Sequence, residues 1–523
     1  MPELRRALGM LLWLVRRGIW DLIAWLKFLF ARPLKIELPD TKGPIIVPKR
    51  MINAIPAVPL HNVMVCARAD IPRDERRGIA KLSTWFYDRQ IWLYTHLMPP
   101  MQPGLPPIDA DPQVALKRAF SGLRRARFRA PELPAEFLGS PDLGSLAVRG
   151  PFSCYTERVD DATWQWDLLM LNNYEHHPGL LKIGSRVLFR VDRVRRSLQA
   201  YRIECALGSI GPTHPRWNDG CKIALCAAST HLSLVRHFNW VHLAGGTQLA
   251  IATRNSLSPK HPLCRLLWPY TFATFQSNDI VTRGQMVHGG DFETIFSLTF
   301  DGMCRLFDDT YLEYEHIVND PERDGNKRRV RGAGFDTPTQ DNLEALFDVM
   351  HGFVRNYLLI YFPSNAATGP SAVNGDPETL AWLDELNTGV PKGVGLSPQN
   401  LTWDELARLL TCQLYLVTVQ HEILGSHMWD YQLWMHRQPV RVYEDFRREP
   451  LDVYQRLVNA NFILNVHRRK LMHDFNDFAL DAQAENVMSQ FQDDLAALQA
   501  KMDSRPGAVW RLYPRELKVN INA

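Results

Sequence analysis

The chain has 523 residues, of which 46% are hydrophobic and 22% charged, a composition that excludes a largely disordered protein. Its 60 basic and 56 acidic residues leave a net charge of +4, and without a recognition motif this balance gives no support for nucleic-acid binding. The eight cysteines are scattered and form no CxxC pair, so we expect neither a disulfide framework nor a thiolate metal site, and a reducing cytoplasm is favoured.

The first 32 residues combine apolar and basic character. Residues 9–30 are rich in leucine and tryptophan but contain charges in their middle, at Arg16 and Arg17. These charges argue against a membrane-spanning helix and interrupt the apolar core that a signal peptide would need. Tryptophans between basic residues are typical of a helix in a membrane interface. We therefore expect residues 1–32 to form an amphipathic helix that either contacts a membrane surface or packs on the body of the protein.

The remainder of the chain is predicted to be mainly helical. Residues 33–150 are expected to form a proline-rich arm and the N-terminal part of the domain, and residues 151–523 its core. Only 187–194 and 440–445 have strand character, which predicts a mainly α fold with few short strands. Hydrophobic patterning predicts helices, in chain order, over 160–174, 220–256, 338–361, 376–386, 402–425, 450–474 and 478–503.

The segment 220–256 is the most distinctive of these. It contains no proline and is apolar on almost every side, as expected of a helix that passes through the middle of a large domain. Gly245 and Gly246 interrupt the pattern, which predicts a kink or a local widening of the helix.

Histidines occur at positions 231, 237 and 242 in this segment, and His421 lies in a second apolar helix. In a regular α-helix, the five-residue spacing of His237 and His242 places their side chains about 140° apart, but a widened π turn brings them closer to one face. The pair is therefore either a metal site on a widened turn or two unrelated core histidines. Neutral imidazoles from two buried helices suit a first-row metal ion.

Short motifs follow the histidines in a fixed order: Ile251–Thr253 (IAT), His261-Pro262, Leu266-Leu267 and Pro269-Tyr270. This order resembles the signature of lipoxygenases, in which a histidine-rich central helix runs into IAT, HP and LL, followed by PH. The similarity extends from about residue 155 to the end of the chain, and it implies a single lipoxygenase-like catalytic domain around a long central helix. The N-terminal β-barrel domain that is frequent in the family is absent, so the tryptophan-rich helix could supply the membrane contact instead.

The resemblance implies one non-haem iron, with manganese as the alternative, and it implies the ligands. His421 matches the histidine of the second long helix, and Ala523 would supply the C-terminal carboxylate. His237 matches a central-helix ligand, and its partner is either His242, which keeps the HxxxxH spacing, or His231, which better fits the count back from His261-Pro262. We favour His242.

One ligand position departs from the family pattern. Gly425 stands where lipoxygenases usually have asparagine, so the site would have three histidines, the carboxylate and water, or His427 would fill the position. Glu422 follows His421 directly on the helix, and we expect its side chain to point elsewhere.

The implied function is a dioxygenase that abstracts a bis-allylic hydrogen from a polyunsaturated fatty acid or phospholipid and adds O2, giving a hydroperoxide. One alternative keeps the metal but makes the protein an oxidase or isomerase of another apolar substrate. The other is a metal-free lipid-binding protein on the membrane periphery. The expected location is the cytoplasm, with peripheral membrane contact through residues 9–30.

Overall fold

The computed structural model describes residues 35–76, 142–364, 372–432, 438–446, 469–505 and 511–519, and single positions in 3–22, at 85, 88 and 89, and at 435, 453 and 457. Most of the helix predicted over 450–474 lies outside the described residues, and so does the C-terminal Ala523.

A continuous central helix passes through the protein, as the sequence predicted. It is α-helical over Trp217–His231, has widened π turns over Leu232–Gly246, and is α-helical again over Thr247–Ser256. Most of its side chains are buried, because other elements surround it. The predicted widening is present, but it extends over fifteen residues and ends at the two glycines.

Gly245 allows a second long helix to cross the central helix closely. A β-carbon at this position would lie 2.7 Å from Leu416 Cδ2 and 2.9 Å from the Tyr314 hydroxyl oxygen. Both distances are shorter than the 3.5–4.0 Å at which non-bonded carbons normally pack. The glycine is therefore explained by this close approach.

The second long helix begins with a capping box, in which the Thr402 side chain accepts from the backbone N–H of Glu405 and the Glu405 side chain accepts from that of Thr402. It is α-helical over Trp403–Tyr415, widened over Leu416–Gln420 and Glu422–Ser426, and α-helical over His427–Gln432. Its widened part faces the widened part of the central helix.

The other helices surround these two. The predictions over 338–361, 376–386 and 478–503 are confirmed by helices at Pro338–Tyr361, Pro377–Gly389 and Ala482–Asp503. Among the continuously described ranges, the other α-helices are Met51–Ala54, Leu143–Leu146, Pro262–Thr271, Thr274–Gly284, Asp291–Ile295, Phe300–Tyr311 and Pro321–Lys327. Short 3-10 turns lie at Arg68–Asp70, Arg73–Glu75, Pro151–Tyr155, Leu169–Asn173, His316–Asn319, Pro398–Asn400, Asn476–Phe478 and Pro514–Glu516.

The helix predicted over 160–174 is wrong, because Thr163–Asp167 is a strand. Trp164 and Trp166 alternate with polar residues and are both buried, which is the period of a strand with one face on the core. The strand belongs to a five-stranded antiparallel sheet of sequential strands: Glu157–Arg158, Thr163–Asp167, Arg186–Asp192, Ser197–Cys205 and Gly208–Ile210. Trp164 pairs with Phe189 and Trp166 with Val187 across it.

The predicted strand over 187–194 is therefore largely present, whereas 440–445 makes only an isolated bridge between Tyr443 and Leu180. A two-stranded sheet pairs Lys49–Arg50 with Met64–Val65. The described part of the chain is mainly helical with few strands, in agreement with the predicted fold class.

Residues 35–76 hold the C-terminal end of the central helix. Arg254 Nη1 lies 2.9 Å from Glu75 Oε1, and its Nη2 lies 2.9 Å from both carboxylate oxygens of Asp74. Burial raises the pKa of Glu75 to about 7, although the charge of Arg254 opposes this rise. One hydrophobic core includes buried side chains from Ile36 to Val519, so the arm and the helical part share it. Within the described residues, no helix has the length and apolar character needed to cross a bilayer.

Candidate metal centre

Three of the predicted ligands converge where the two long helices cross. The ring centroids of His237 and His242 lie 4.7 Å apart, and that of His421 lies 5.0 Å from each. One nitrogen from each ring can be chosen so that all three lie within 4.8 Å of one another. His242 and His421 are each 2% exposed, and His237 is partly buried.

Widened turns on both helices produce this arrangement. His237 and His242 are five residues apart within the widened part of the central helix, and i to i+5 bonding places such residues near one face. His421 lies between two widened segments of the second helix. Such turns are rare in proteins, and those that occur are often found at functional sites. The presence of widened turns on both facing helices therefore marks this crossing as the candidate site.

The three imidazoles fit a first-row metal ion. When two imidazole nitrogens bind the same ion at about 2.1 Å, with about 90° between the two bonds, the nitrogens lie about 3.0 Å apart. The Nε2 atoms of His237 and His242 are 3.1 Å apart. Three imidazole donors without a thiolate suit a first-row ion such as iron, copper or zinc, and the resemblance to lipoxygenases is what favours iron or manganese. The structure thus brings His237, His242 and His421 together, and metal binding by them remains a prediction.

Asn278 fixes the orientation of His242. Its amide nitrogen lies 3.1 Å from the backbone oxygen of His242 and 2.7 Å from Thr247 Oγ1, so it donates to both. The amide oxygen then faces His242 Nδ1 at 3.0 Å and accepts its proton. With its proton on Nδ1, neutral His242 carries none on Nε2, the nitrogen that faces the other two rings. A metal ligand requires such an unprotonated nitrogen.

Glu422 also contacts a predicted ligand, contrary to our expectation from its place next to His421. Its Oε1 atom lies 3.3 Å from His421 Nδ1, and the side chain is 2% exposed. We had expected Glu422 to point elsewhere because successive side chains on a regular α-helix diverge. The widened turns on either side of His421 alter the angle between successive side chains, so this expectation does not apply here. Neither Glu422 nor Asn278 was assigned a role from the sequence.

His231 does not join the three rings. Its Nδ1 atom lies 2.9 Å from the Tyr155 hydroxyl. Burial, together with the charge of Arg236, lowers the pKa of His231 to about 3. It is a neutral core histidine, so the structure favours His242 as the partner of His237.

His427 is not among the converging histidines either. Its Nε2 atom lies 3.7 Å from Glu516 Oε2, on the segment that leads to the C-terminus. The carboxylate of Ala523 lies outside the described residues, and its role as a ligand stays a prediction.

Gly425 provides the space that the His237 ring occupies. A β-carbon on Gly425 would lie 2.5 Å from His237 Nε2, 2.9 Å from Cε1 and 3.0 Å from Cδ2. The position where lipoxygenases usually have asparagine therefore faces the candidate site, but here a ligand ring fills the room that a side chain would need. No side chain from this position can coordinate.

The HP motif has a structural role. His261 Nδ1 accepts from the backbone N–H of Leu263 at the start of a helix, and its Nε2 lies 2.9 Å from Asp376 Oδ2. Burial acts to raise the pKa of Asp376, but hydrogen bonds from His261 and Thr379 outweigh it and lower the pKa to about 2. The motif thus ties the helix after the central helix to the one that begins at Pro377.

Comparison with solved structures identifies the fold. No protein-family model matches the chain. The structure of a calcium-dependent 11R-lipoxygenase superimposes with a TM-score of 0.69 at 16% identity, covering 92% of this chain and 79% of that one. The chain has a lipoxygenase-like fold. A LOX variant in complex with arachidonate superimposes with a TM-score of 0.66 at 15% identity, over 88% and 78% of the two chains.

Sequence comparison agrees with this lipoxygenase-like assignment. Polyunsaturated fatty acid lipoxygenase ALOX12 of Mus musculus is 23% identical over 279 residues, 49% of this chain and 41% of the relative. Hydroperoxide isomerase ALOXE3 of Homo sapiens is 26% identical over 206 residues, 39% and 28% of the two chains. The manganese lipoxygenase of Pleurotus sapidus is 22% identical over 222 residues, 39% and 32%. The matched segments thus span less than half the length of each relative.

Proposed function

We propose that this lipoxygenase-like protein is a non-haem iron dioxygenase that converts polyunsaturated fatty acyl chains to hydroperoxides. The convergence of His237, His242 and His421 from two widened, buried helices carries this proposal. The fold and the names of the relatives support the class of reaction. Three histidine donors would leave coordination positions of a bound ion open, and sites with open positions suit oxygen chemistry.

The roles of the residues follow from their contacts. When bound, iron would supply the one-electron chemistry that hydrogen abstraction requires. His237, His242 and His421 would hold it, with the carboxylate of Ala523 as a further ligand. Asn278 keeps the proton of His242 on the nitrogen that faces away from the other rings.

Apolar side chains pack beside this centre. The rings of Phe238 and His242 lie 5.1 Å apart, and Phe238 packs in turn on Phe292 at 5.2 Å and on Phe307 at 6.1 Å. On the second helix, Ile423 and Leu424 are buried. In the proposed reaction, catalysis depends on holding one carbon of an acyl chain in position beside this centre.

Oxygen consumption with linoleate tests the proposal. Iron-loaded protein is expected to consume oxygen and form a conjugated diene that absorbs in the ultraviolet. Oleate is the matched control, because it has a similar chain but no bis-allylic carbon. Protein that carries one iron per chain and gives no conjugated diene with any polyunsaturated lipid would contradict the proposal, and a manganese-loaded sample in the same assay decides between the two metals.

Gly425 favours a second candidate, a hydroperoxide isomerase. Because no side chain from this position can coordinate, a bound ion has one protein donor fewer and one coordination position more for an oxygenated substrate. One relative carries the name hydroperoxide isomerase. Mass spectrometry of the products from a fatty acid hydroperoxide distinguishes the two. Isomerisation without oxygen uptake would favour this candidate, and an unchanged hydroperoxide would exclude it.

We further propose that the protein is cytoplasmic and that its N-terminal residues bring it to a membrane surface. Described helical positions there expose large apolar side chains: Leu4, Leu8, Met10, Leu11, Leu12, Leu14, Val15, Ile19 and Leu22. Arginines at positions 5, 6, 16 and 17 would attract anionic lipids. Flotation of the full chain with vesicles of phosphatidylcholine and phosphatidylserine tests this, and Leu8→Asp with Leu12→Asp should abolish it. Equal flotation of this variant would contradict the proposal.

A further inference from the structure

One buried carboxylate connects a predicted metal ligand to the C-terminal segment. Glu422 Oε1 lies 3.3 Å from His421 Nδ1, and Oε2 lies 3.1 Å from Lys518 Nζ. Lys518 Nζ also lies 3.3 Å from Ser426 Oγ, one helical turn further on. A buried carboxylate is costly unless it is paired, and both contacts contribute to that pairing.

The first contact acts on the histidine. An acceptor on Nδ1 fixes the ring orientation and leaves Nε2 for an ion, which is the usual role of carboxylates next to metal-binding histidines. For His242 the corresponding acceptor is the amide of Asn278. Each of these two ligands therefore has its own orienting oxygen, and that of His421 carries a charge.

The second contact acts on the end of the chain. Lys518 lies between the fully buried Leu517 and Val519, and its backbone bridges to Lys470. The backbone N–H of Val519 donates to the Arg469 oxygen at 3.0 Å. These backbone contacts anchor the C-terminal segment beside residues 469 and 470.

We propose that Glu422 is a positioning residue that couples docking of the C-terminal segment to metal binding by His421. This inference rests on the proposed metal-dependent function. Lys518 acts through Glu422, since its ammonium group neutralises the carboxylate that holds the ring. The two side chains therefore form one unit, and removing either should weaken metal binding even though neither is a ligand.

Mn²⁺ affinity of the full chain, measured from the EPR signal of the free ion, tests the coupling. Glu422→Leu should weaken binding about 10- to 100-fold, and Lys518→Met should weaken it less. Glu422→Gln keeps an oxygen that can accept from His421, so it should recover most of the affinity. The double variant Glu422→Leu/Lys518→Met should bind no more weakly than Glu422→Leu alone.

Arg515 gives the matched control, because it lies on the same segment and its Nη1 pairs with Asp503 at 2.8 Å, away from the histidines. Arg515→Met should bind Mn²⁺ like the wild type. Thermal unfolding of the metal-free variants tests the alternative that Glu422 and Lys518 only stabilise the fold. In that case the substitutions would lower the melting temperature without changing Mn²⁺ affinity.

Several results would overturn the coupling. One is that Glu422→Leu binds Mn²⁺ with wild-type affinity. Another is that Lys518→Met and Arg515→Met lose equal amounts of Mn²⁺ affinity, and a third is that adding Lys518→Met to Glu422→Leu lowers the affinity further. A wild-type chain that binds no Mn²⁺ or iron would instead remove the proposed function, and the coupling with it.

Discussion

Substituting Gly425 by alanine should displace a predicted metal ligand. The added β-carbon would lie 2.5 Å from His237 Nε2, whereas a relaxed contact needs roughly 3.5 Å. Since the backbone of a packed helix moves little, the ring must shift by about 1 Å. Distances to a bound metal tolerate only about 0.2 Å, so His237 can no longer share one ion with His242 and His421.

We expect Gly425→Ala to weaken metal affinity at least about 10- to 100-fold, the range seen when even supporting contacts of a metal site are lost. Overpacking should also destabilise the metal-free protein, by about 1–3 kcal/mol. Competition with a chromogenic chelator gives the affinity, and chemical denaturation gives the stability.

Gly352→Ala is the matched control. Gly352 lies in the helix Pro338–Tyr361, and a β-carbon there would have no atom within 4 Å. This change should leave metal affinity intact and stabilise the protein by about 0.5–1 kcal/mol, because alanine favours the helix. If Gly425→Ala bound metal as tightly as Gly352→Ala, the explanation of this glycine would be refuted.

Three further predictions concern side chains around the site and the motifs. Asn278→Ala should weaken metal affinity about 10-fold, because His242 loses the acceptor on Nδ1; unchanged affinity in the chelator assay would contradict this. His231→Gln should keep full metal content, and loss of metal would instead make His231 a ligand. The same variant should make the free energy of unfolding less dependent on pH between about 3 and 6.5, because the wild-type histidine takes up a proton only on unfolding in this range. The lowered pKa of Asp376 adds about 2 kcal/mol to stability above pH 4, lost as the pH falls toward 2. Denaturation of Asp376→Asn should show this loss at pH 7 and none near pH 2, and equal losses at both would refute it.

The sequence predicted the elements that have strong patterns. The central helix and the helix Pro338–Tyr361 are long, apolar on the expected faces and free of internal proline. Their hydrophobic periodicity alone was therefore enough to predict them as helices. The five-stranded sheet was largely missed, because Thr163–Asp167 is short and two buried tryptophans dominate its pattern. Short apolar runs do not distinguish strand from helix by periodicity alone.

Within the site, the histidines could be predicted but their surroundings could not. The resemblance to lipoxygenases pointed to His237 and His421, with either His242 or His231 as the third histidine, and the HxxxxH spacing favoured His242. Asn278 comes from a different helix, and no local pattern distinguishes it. Glu422 was misjudged because the widened turns next to it depend on packing between helices rather than on local sequence.

Metal content tests the central claim most directly. The full chain, reconstituted with iron and freed of loose metal, should contain one iron per chain by elemental analysis. His237→Ala, His242→Ala and His421→Ala should each lose it, whereas His231→Ala should keep it. A wild-type value below about 0.1 per chain, or retention of stoichiometric iron by any of the first three variants, would contradict the claim that these imidazoles together bind one ion.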